Sequence, residues 1–351
     1  MSTKTVAGNY FEDFRVGQEL VHATPRTITE GDVAVYQGLF GPRFALYSAS
    51  TFASSMGFER TPVDGLLAFH IVFGRTVPDI SLNAIANLGY AGGRFDRPVF
   101  PGDTLAVVTR VTGLKENSNG KTGVVYVRST GTNQDGDRVM QFDRWVMVRK
   151  RDPASKAPEP VVPTLESAVP ASELVVPWSM NGRYDRALAG SDYLWDDYDI
   201  GERIDHVDGM TVEESDHMTA CRLFQNTAKV HFNQHVERDG RFGRRIVYGG
   251  YLISLARSLS FNGLANAQSV AAINGGAHTA PTFAGDTVYA WSEVLDKMAF
   301  DEHPDVGALR VRTVATKDRP CHDFPYRLPD GKYEPAVVLD FDYTVLMPRR
   351  S

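Results

Sequence analysis

Cysteine is scarce in this chain of 351 residues. Its two cysteines, Cys221 and Cys321, lie far apart, and neither belongs to a CxxC pair. Two isolated cysteines cannot build the disulfide framework that stabilises small secreted domains. No Cys/His cluster with the spacing of metal ligands occurs either. We therefore expect both thiols to be reduced and buried, and we expect no bound metal.

Long apolar runs and blocks of basic residues are also absent. Residues 1–20 lack the apolar core of a signal peptide, and no stretch approaches the roughly 18 consecutive apolar residues of a membrane span. A charged fraction of 23% and a net charge of −6 are ordinary for a soluble protein, and no Lys/Arg block of the nucleic-acid-binding kind occurs. We therefore expect a cytoplasmic protein that binds neither membranes nor nucleic acids.

What the chain does contain is an internal repeat. Glycines and possible helix caps recur at a constant interval of 184: Gly17 and Gly201, Thr27 and Thr211, Asp32 and Asp216, Gly65 and Gly249. Farther on, FPGDT at 100–104 returns as FAGDT at 283–287, so the interval becomes 183 and one residue has been deleted. We interpret the chain as two copies of one domain, in which functional residues should be sought where the copies differ.

A segment rich in proline separates the two copies. Its prolines are Pro153, Pro158, Pro160, Pro163 and Pro170. No helix interior or central strand tolerates proline at this density. We predict a first domain at 9–152, a linker at 153–189 and a second domain at 190–351. Each domain then has about 150 residues, which is enough to bury a sizeable core.

The elements within each copy follow the same order. Thr27 and Thr211 are each followed three residues later by glutamate, the pattern of a capping box, which predicts a short helix at each place. Gly65 and Gly249 begin longer helices that are apolar on nearly every face, so we expect both helices to be buried. Alternating apolar and polar residues at 339–345 predict a strand. The predicted fold class is α+β, with an antiparallel β-sheet wrapped around a central apolar helix in each copy.

One segment of the second copy resembles a family motif. Residues 226–231 read NTAKVH, and Gly249 opens the second buried helix eighteen residues after His231. This pattern resembles the MaoC-like (R)-specific enoyl-CoA hydratases, whose motif is Asp-x-Asn-Pro-aliphatic-His ahead of the glycine that begins the central helix of a hot-dog fold. Val230 and His231 match the aliphatic and histidine positions. Three motif positions differ, with asparagine, alanine and lysine in place of Asp, Asn and Pro: Asn226, Ala228 and Lys229.

The resemblance implies a tandem double hot-dog fold in which the second copy is catalytic. At the positions that correspond to Asn226 and His231 in the repeat, the first copy has Pro42 and Tyr47. Neither side chain can carry out the proton transfers of a hydratase. We therefore expect the first copy to be catalytically silent and reshaped to hold the acyl group of the substrate.

The implied reaction is addition of water across the α,β double bond of a coenzyme A thioester, without a further cofactor. Neutral His231 would take a proton from water. The backbone N–H of Gly249, at the positive end of its helix, would meet the charge that develops on the thioester oxygen. Asn226 would orient the water, although an amide cannot relay a proton at neutral pH. Either His231 acts as base and then as acid, or a carboxylate elsewhere, such as Asp64, takes the second role.

Four further residues are candidates for binding the acyl-CoA substrate: Arg43, Tyr47, Asp64 and Tyr248. Asp64 and Tyr248 precede the two helix-opening glycines, and Tyr47 stands at the place of the lost histidine. The guanidinium of Arg43 could pair with a carboxylate on a dicarboxylic acyl chain. His70, within an apolar helix, is predicted to be packed rather than catalytic. The resemblance also implies a homo-oligomer, most simply a dimer.

Two other functions stay open. A hot-dog thioesterase uses an acidic residue beside the helix to activate water at the carbonyl carbon, and Asp64 is placed for that role. Release of free thiol from an acyl-CoA would identify this activity. A non-catalytic acyl-CoA-binding protein would explain Asn226 as a decayed motif position, and it would bind its ligand without turnover.

Overall fold

The computed structural model describes residues 4–179 and 184–350 of the chain. Within these ranges the strands are β1 (Glu19–Thr27), β2 (Ala84–Phe95), β3 (Thr104–Glu116), β4 (Thr122–Thr132), β5 (Arg138–Arg149), β6 (Arg203–Thr211), β7 (Ser269–His278), β8 (Thr287–Ala299), β9 (Val306–Lys317) and β10 (Val337–Pro348). The helices are α1 (Glu30–Phe40), α2 (Ala45–Ser48), α3 (Ser50–Ser55), α4 (Gly65–Thr76), α5 (Arg186–Ala189), α6 (Glu214–Leu223), α7 (Lys229–Phe232), α8 (Gln234–Glu237), α9 (Gly249–Leu259) and α10 (Phe261–Leu264).

The strands of both copies join one antiparallel sheet. Their order is β1-β3-β4-β5-β2-β7-β10-β9-β8-β6. When each copy is followed from its own edge of the sheet to the centre, the two copies have the same strand order. β2 and β7 pair at the centre, from Tyr90 opposite Gly276 to Arg94 opposite Ala272. Because this pair is continuous, the inner faces of the two copies contribute to one hydrophobic core.

The sheet wraps around two buried helices, as the sequence predicts. α4 buries ten of its twelve residues, and α9 buries the eight from Gly250 to Arg257. They begin at Gly65 and Gly249, the glycines identified from the repeat. A helix that is apolar all round gains from burial on every face, which places it inside the curved sheet rather than on the surface. The predicted α+β fold, with one apolar helix at the centre of each copy, is confirmed.

The two central helices cross where His70 meets Ser254. His70 Nε2 lies 2.9 Å from Ser254 Oγ, and these residues occupy the same position in the two copies. The crossing is therefore an approximate twofold axis, and the predicted packing role of His70 is confirmed. Beyond it, the C-terminal half of α4 lies beside the start of α9, with the ring centroids of Phe73 and Tyr248 5.7 Å apart. The N-termini of α4 and α9 consequently lie at opposite ends of the crossing.

The predicted helix caps are wrong by a few residues. Thr27 and Thr211 end strands β1 and β6, where their hydroxyls bond Thr104 and Thr287 at 2.7 and 2.8 Å. The cap of α1 is Thr29, whose hydroxyl accepts the N–H of Asp32 while the Asp32 carboxylate accepts the N–H of Thr29. α6 begins after Glu213 without a side-chain cap. The helices exist, but pairing with β3 and β8 holds the predicted cap residues in the sheet.

The segment between the copies crosses from the first to the second. Val161 forms a bridge with Leu114 in β3, and the Trp178 indole N–H donates to Ser269 Oγ in β7 at 3.0 Å. Residues 180–183 of the predicted linker, and the last residue of the second domain, lie outside the described residues. The boundaries at 152 and 190 stay a prediction. Both cysteines are free and buried. In the described part of the chain, none of the helices has the length and apolarity to cross a membrane.

Candidate active site

His231 lies on the single turn α7, and its surroundings favour a neutral imidazole. Its Nδ1 is 3.0 Å from the backbone oxygen of Ile246. Since a carbonyl can only accept, Nδ1 carries the proton and the lone pair of Nε2 is left to react. Burial lowers the pKa of His231 to about 4, and the bond to Ile246 opposes that shift only in part. The side chain is therefore in the base form at neutral pH, as a general base must be.

Gly249 begins α9 beside the rings of Tyr248 and His278. The ring centroid of Tyr248 is 5.5 Å from that of His231. A Cβ at Gly249 would lie 2.4 Å from Cε1 and Nε2 of His278, so only glycine lets that imidazole pack on the helix start. N–H groups in a first helical turn have no partner within the helix, and they carry the positive end of its dipole. The arrangement offers a base and an anion-stabilising helix end in one place.

Asn226 lies in the turn that leads into α7. It is buried, and its Oδ1 accepts the backbone N–H of Ala228 at 3.2 Å. An asparagine that bonds two residues ahead shapes a turn, as an aspartate would. The carboxamide thus stabilises the backbone turn between Asn226 and His231. Its role in orienting the attacking water stays a prediction.

Two histidines of this site were missed by the sequence reasoning. His217, on α6, accepts the backbone N–H of Tyr248 through Nε2 at 3.0 Å and so anchors the start of α9. His278, at the end of β7, packs on Gly249, and its pKa is lowered to about 4 by burial and by His231. Both differ between the copies, because the first copy has Val33 and Phe95 at the equivalent positions of the repeat. Comparison of the copies at every position would have found them.

Tyr47 and Asp64 come together, but in the first copy. The hydroxyl of Tyr47 faces the backbone of Gly65, and Asp64 Oδ1 accepts the N–H of Leu66 at 2.9 Å, capping its own helix. Burial raises the pKa of Asp64, and the charge of Arg257, near the C-terminal end of α9, opposes that rise. Tyr47 lines an apolar pocket that lies on this side of the molecule.

Of the two alternatives for the second proton at His231, the one that uses Asp64 does not fit this geometry. Asp64 lies at the end of α9 opposite to Gly249, and α9 is about 16 Å long at 1.5 Å per residue. A carboxylate at that distance cannot exchange a proton directly with the site of His231. The reason is the crossing of the central helices, which separates their N-termini.

The structure also contradicts the assignment of Arg43. Its side chain is exposed, and its guanidinium stacks over the ring of Phe261 at 4.5 Å. Phe261 follows the C-terminal end of α9, so Arg43 too lies about one helix length from Gly249. Of the predicted residues, the structure thus places Asn226, His231, Tyr248 and Gly249 on one side, and Arg43, Tyr47 and Asp64 on the other.

The buried histidines predict a loss of stability in mild acid. Burial lowers the pKa of five of them from 6.5 to about 3 or 4: His70, His206, His217, His231 and His278. Below pH 6.5 these histidines bind protons in the unfolded chain but stay neutral in the folded chain. Their contribution to the free energy of unfolding is therefore fully present above pH 6.5 and is lost as the pH falls towards 4. We expect the Tm to be at least about 5 °C lower at pH 5 than at pH 7. An unchanged Tm in thermal melts across this range would contradict the prediction.

Comparison with known proteins agrees with this geometry. The family model described as mesaconyl-CoA hydratase matches residues 2–323. The chain is 70% identical over 352 residues to the beta-methylmalyl-CoA dehydratase of Chloroflexus aurantiacus, covering 100% of each chain. It is 58% identical over 347 residues to the mesaconyl-CoA hydratase of Cereibacter sphaeroides, covering 99% of this chain and 100% of that protein.

Solved structures resemble the fold over its whole length. A putative MaoC domain dehydratase from Chloroflexus aurantiacus has a TM-score of 0.98 at 69% identity, covering 100% of both chains. A Mycobacterium tuberculosis protein described as a double hotdog fold has a TM-score of 0.76 at 27% identity, covering 98% of this chain and 99% of that chain. The resemblance to MaoC-like double hot-dog hydratases is confirmed, and the chain belongs to the mesaconyl-CoA hydratase family.

Proposed function

We propose that this chain catalyses the reversible hydration of mesaconyl-CoA to β-methylmalyl-CoA. Relatives that are 70% and 58% identical along nearly the whole chain are named for the two directions of this reaction. The observation in the site that carries the proposal is His231. Its imidazole is neutral, and its Nδ1 donates to the backbone carbonyl of Ile246. The ring centroid of His231 lies 5.5 Å from that of Tyr248, the residue before the start of α9.

The reaction proceeds through two proton transfers. His231 Nε2 takes a proton from water as the water oxygen bonds to the β carbon, and the electrons of the double bond move onto the thioester oxygen. The N–H of Gly249 and the dipole of α9 stabilise the enolate charge. The imidazolium then returns a proton to the α carbon, which restores neutral His231 and completes the addition of one water. Asn226 positions that water in this proposal, and Tyr248 forms part of the wall beside the acyl group.

The alternatives have less support at this site. A thioesterase would need a carboxylate beside the helix that receives the thioester. Asp64 begins the helix of the first copy, where its carboxylate already caps Leu66 and an apolar pocket lies beside it. A non-catalytic binding protein would have no need for a histidine whose tautomer is set by a backbone carbonyl.

A spectrophotometric assay tests the proposed function. Hydration removes the conjugated double bond, so the absorbance of the thioester of mesaconyl-CoA should fall while no free thiol appears. The same assay with crotonyl-CoA measures the preference for a dicarboxylic acyl group. Thiol release at the rate of the absorbance change would instead identify a thioesterase, and binding without any change would identify a non-catalytic protein.

We further propose that the protein is a cytoplasmic homodimer that needs no cofactor beyond the coenzyme A of its substrate. Reduced, buried cysteines are consistent with a reducing compartment. The family resemblance implies further association of fused hot-dog pairs and a place in the ethylmalonyl-CoA pathway of carbon assimilation. Light scattering of the purified protein would measure its oligomeric state.

A further inference from the structure

The approximate twofold axis gives each residue of the first copy's pocket a counterpart at the site of His231. The pocket in the first copy is lined by Gly65, Phe95 and Val99, and by Val270 from β7 of the other copy. The repeat places four residues at the equivalent positions of the second site: Gly249, His278, Thr282 and Asn87. Three apolar side chains are thus replaced by three polar ones, while the glycine is kept.

The polar atoms at this second site lack partners. Among the residues that the structure describes, buried atoms without a hydrogen-bond partner include Nδ1 of His278, Oγ1 of Thr282, both amide atoms of Asn87 and the hydroxyl of Tyr248. Buried polar groups normally have partners because desolvation is otherwise uncompensated. A group of unpaired atoms at one site therefore points to a polar ligand that completes their hydrogen bonds.

The sheet brings the amide and the imidazole of this group together. The printed pairing of β2 with β7 ends at Tyr90 opposite Gly276, and Asn87 and His278 lie three and two residues beyond that pair at the same end of the two strands. Asn87 pairs with Val146 of β5, a residue of the core, because β2 has an irregularity at Leu88. The hydroxyl of Tyr90 is 3.4 Å from His278 Nε2, which leaves Nδ1 as the unpaired nitrogen. His278 packs on Gly249, and Asn87 corresponds in the repeat to Val270, which lines the pocket of Gly65. The repeat therefore assigns both side chains to the start of α9, where the thioester is bound in the proposed function.

A buried positive charge interacts with Tyr248. Arg144 is fully buried with its guanidinium 4.3 Å from the ring centroid of Phe73, and it donates to the hydroxyls of Ser81 and Thr76. No carboxylate lies within 4.0 Å of it in the described part of the chain. Burial lowers its pKa to about 10, so it remains cationic at neutral pH. A buried cation without a counter-ion favours an anion in its neighbourhood.

We propose that Asn87 and His278 hold the free carboxylate of the substrate. This inference rests on the proposed function, in which the acyl group is an unsaturated diacid and the carbon that receives water carries the carboxylate. That carboxylate must then lie close to His231, on the side where these donors converge. The amide of Asn87 supplies N–H groups and the ring of His278 supplies another, as a buried carboxylate requires. A substrate with a methyl group in its place would leave both residues unpaired.

Binding of two saturated thioesters tests this site without turnover. Methylsuccinyl-CoA, with the methyl beside the thioester, and 2-methylbutyryl-CoA differ only in a carboxylate replaced by a methyl group. Asn87→Val and His278→Phe introduce the residues that the repeat has at equivalent places, Val270 and Phe95. Calorimetric titration should find that each variant binds methylsuccinyl-CoA about tenfold or more weakly, the loss expected for a hydrogen bond to a charged group. Binding of 2-methylbutyryl-CoA should change less than about threefold.

Two more variants keep the test decisive. Val270→Asn, the reverse exchange in the silent pocket, should leave both affinities unchanged. Asn87→Asp keeps the size of the side chain but adds a negative charge, and it should weaken methylsuccinyl-CoA selectively. Equal losses for both thioesters, or no loss for either, would overturn the proposal. Wild-type protein that prefers methylsuccinyl-CoA but does not hydrate mesaconyl-CoA would refute the proposed function and leave the carboxylate site standing.

Discussion

Replacing His231 with glutamine is expected to lower kcat by about 10²–10⁴, the range for loss of a positioned general base. Glutamine is similar in size, and its amide can donate a hydrogen bond as the Nδ1–H of His231 does. It cannot take a proton from water at neutral pH. His231 is the histidine of α7 whose tautomer is set by the carbonyl of Ile246. Initial rates with saturating mesaconyl-CoA measure the effect, and circular dichroism should find the fold unchanged.

The repeat provides the matched control for this variant. Tyr47 occupies the place of His231 in the first copy. Tyr47→Phe removes a hydroxyl that faces Gly65 beside an apolar pocket, so kcat should stay within about threefold of the wild type. Near-wild-type turnover of His231→Gln would refute the assignment of the base. A comparable loss in Tyr47→Phe would mean that both copies take part in the reaction.

Gly249→Ala is expected to lower kcat by at least about 10², the cost of removing one donor from an oxyanion-stabilising site. The added methyl group would lie 2.4 Å from the imidazole of His278, a distance that forces one of the two to move. Either movement displaces the helix start or the ring that packs on it, and the methyl group itself blocks the approach of the thioester oxygen. Alanine favours helices more than glycine does, so a loss of activity would not follow from a weaker helix.

Gly65→Ala is the control in the other copy. Its added methyl group would lie 3.2 Å from the nearest atom of Phe95, which a shift of a few tenths of an ångström relieves. Kinetics and thermal melting of both variants separate an effect on the site from an effect on folding. We expect Gly65→Ala to keep its activity and both proteins to melt cooperatively. Activity of Gly249→Ala equal to that of Gly65→Ala would contradict the proposed role of the helix start.

Local features of the sequence predicted the elements well. The glycines at 65 and 249 begin the two central helices, and the apolar residues after them are buried, because a helix buried on all faces needs apolar residues at every position. The caps at Thr27 and Thr211 were wrong for a local reason. A Thr-x-x-Glu pattern satisfies the capping rule, but hydrogen bonding in the sheet holds both threonines in strands.

The segment that resembles the hydratase motif could be located because it is local as well, and its catalytic role stays a proposal. Asn226, His231 and Gly249 are close in sequence, and their spacing determines that a turn, a short helix and the start of α9 follow one another. The substrate contacts were not predictable in this way. Arg43 and Asp64 belong to the copy without the motif, and the sequence does not record which end of α9 they approach.

The sequence by itself therefore determined the repeat and the fold class, since these depend on periodicity and on residues near one another in the chain, and its resemblance to the hydratase motif identified His231 as the proposed base. Only the tertiary structure decided which parts of the two copies meet. The crossing at His70 and Ser254 puts the C-terminal half of one central helix beside the N-terminus of the other. That packing takes Arg43 and Asp64 away from His231, and the β2–β7 register brings Asn87 towards His278, because long-range contacts follow from how buried surfaces fit together.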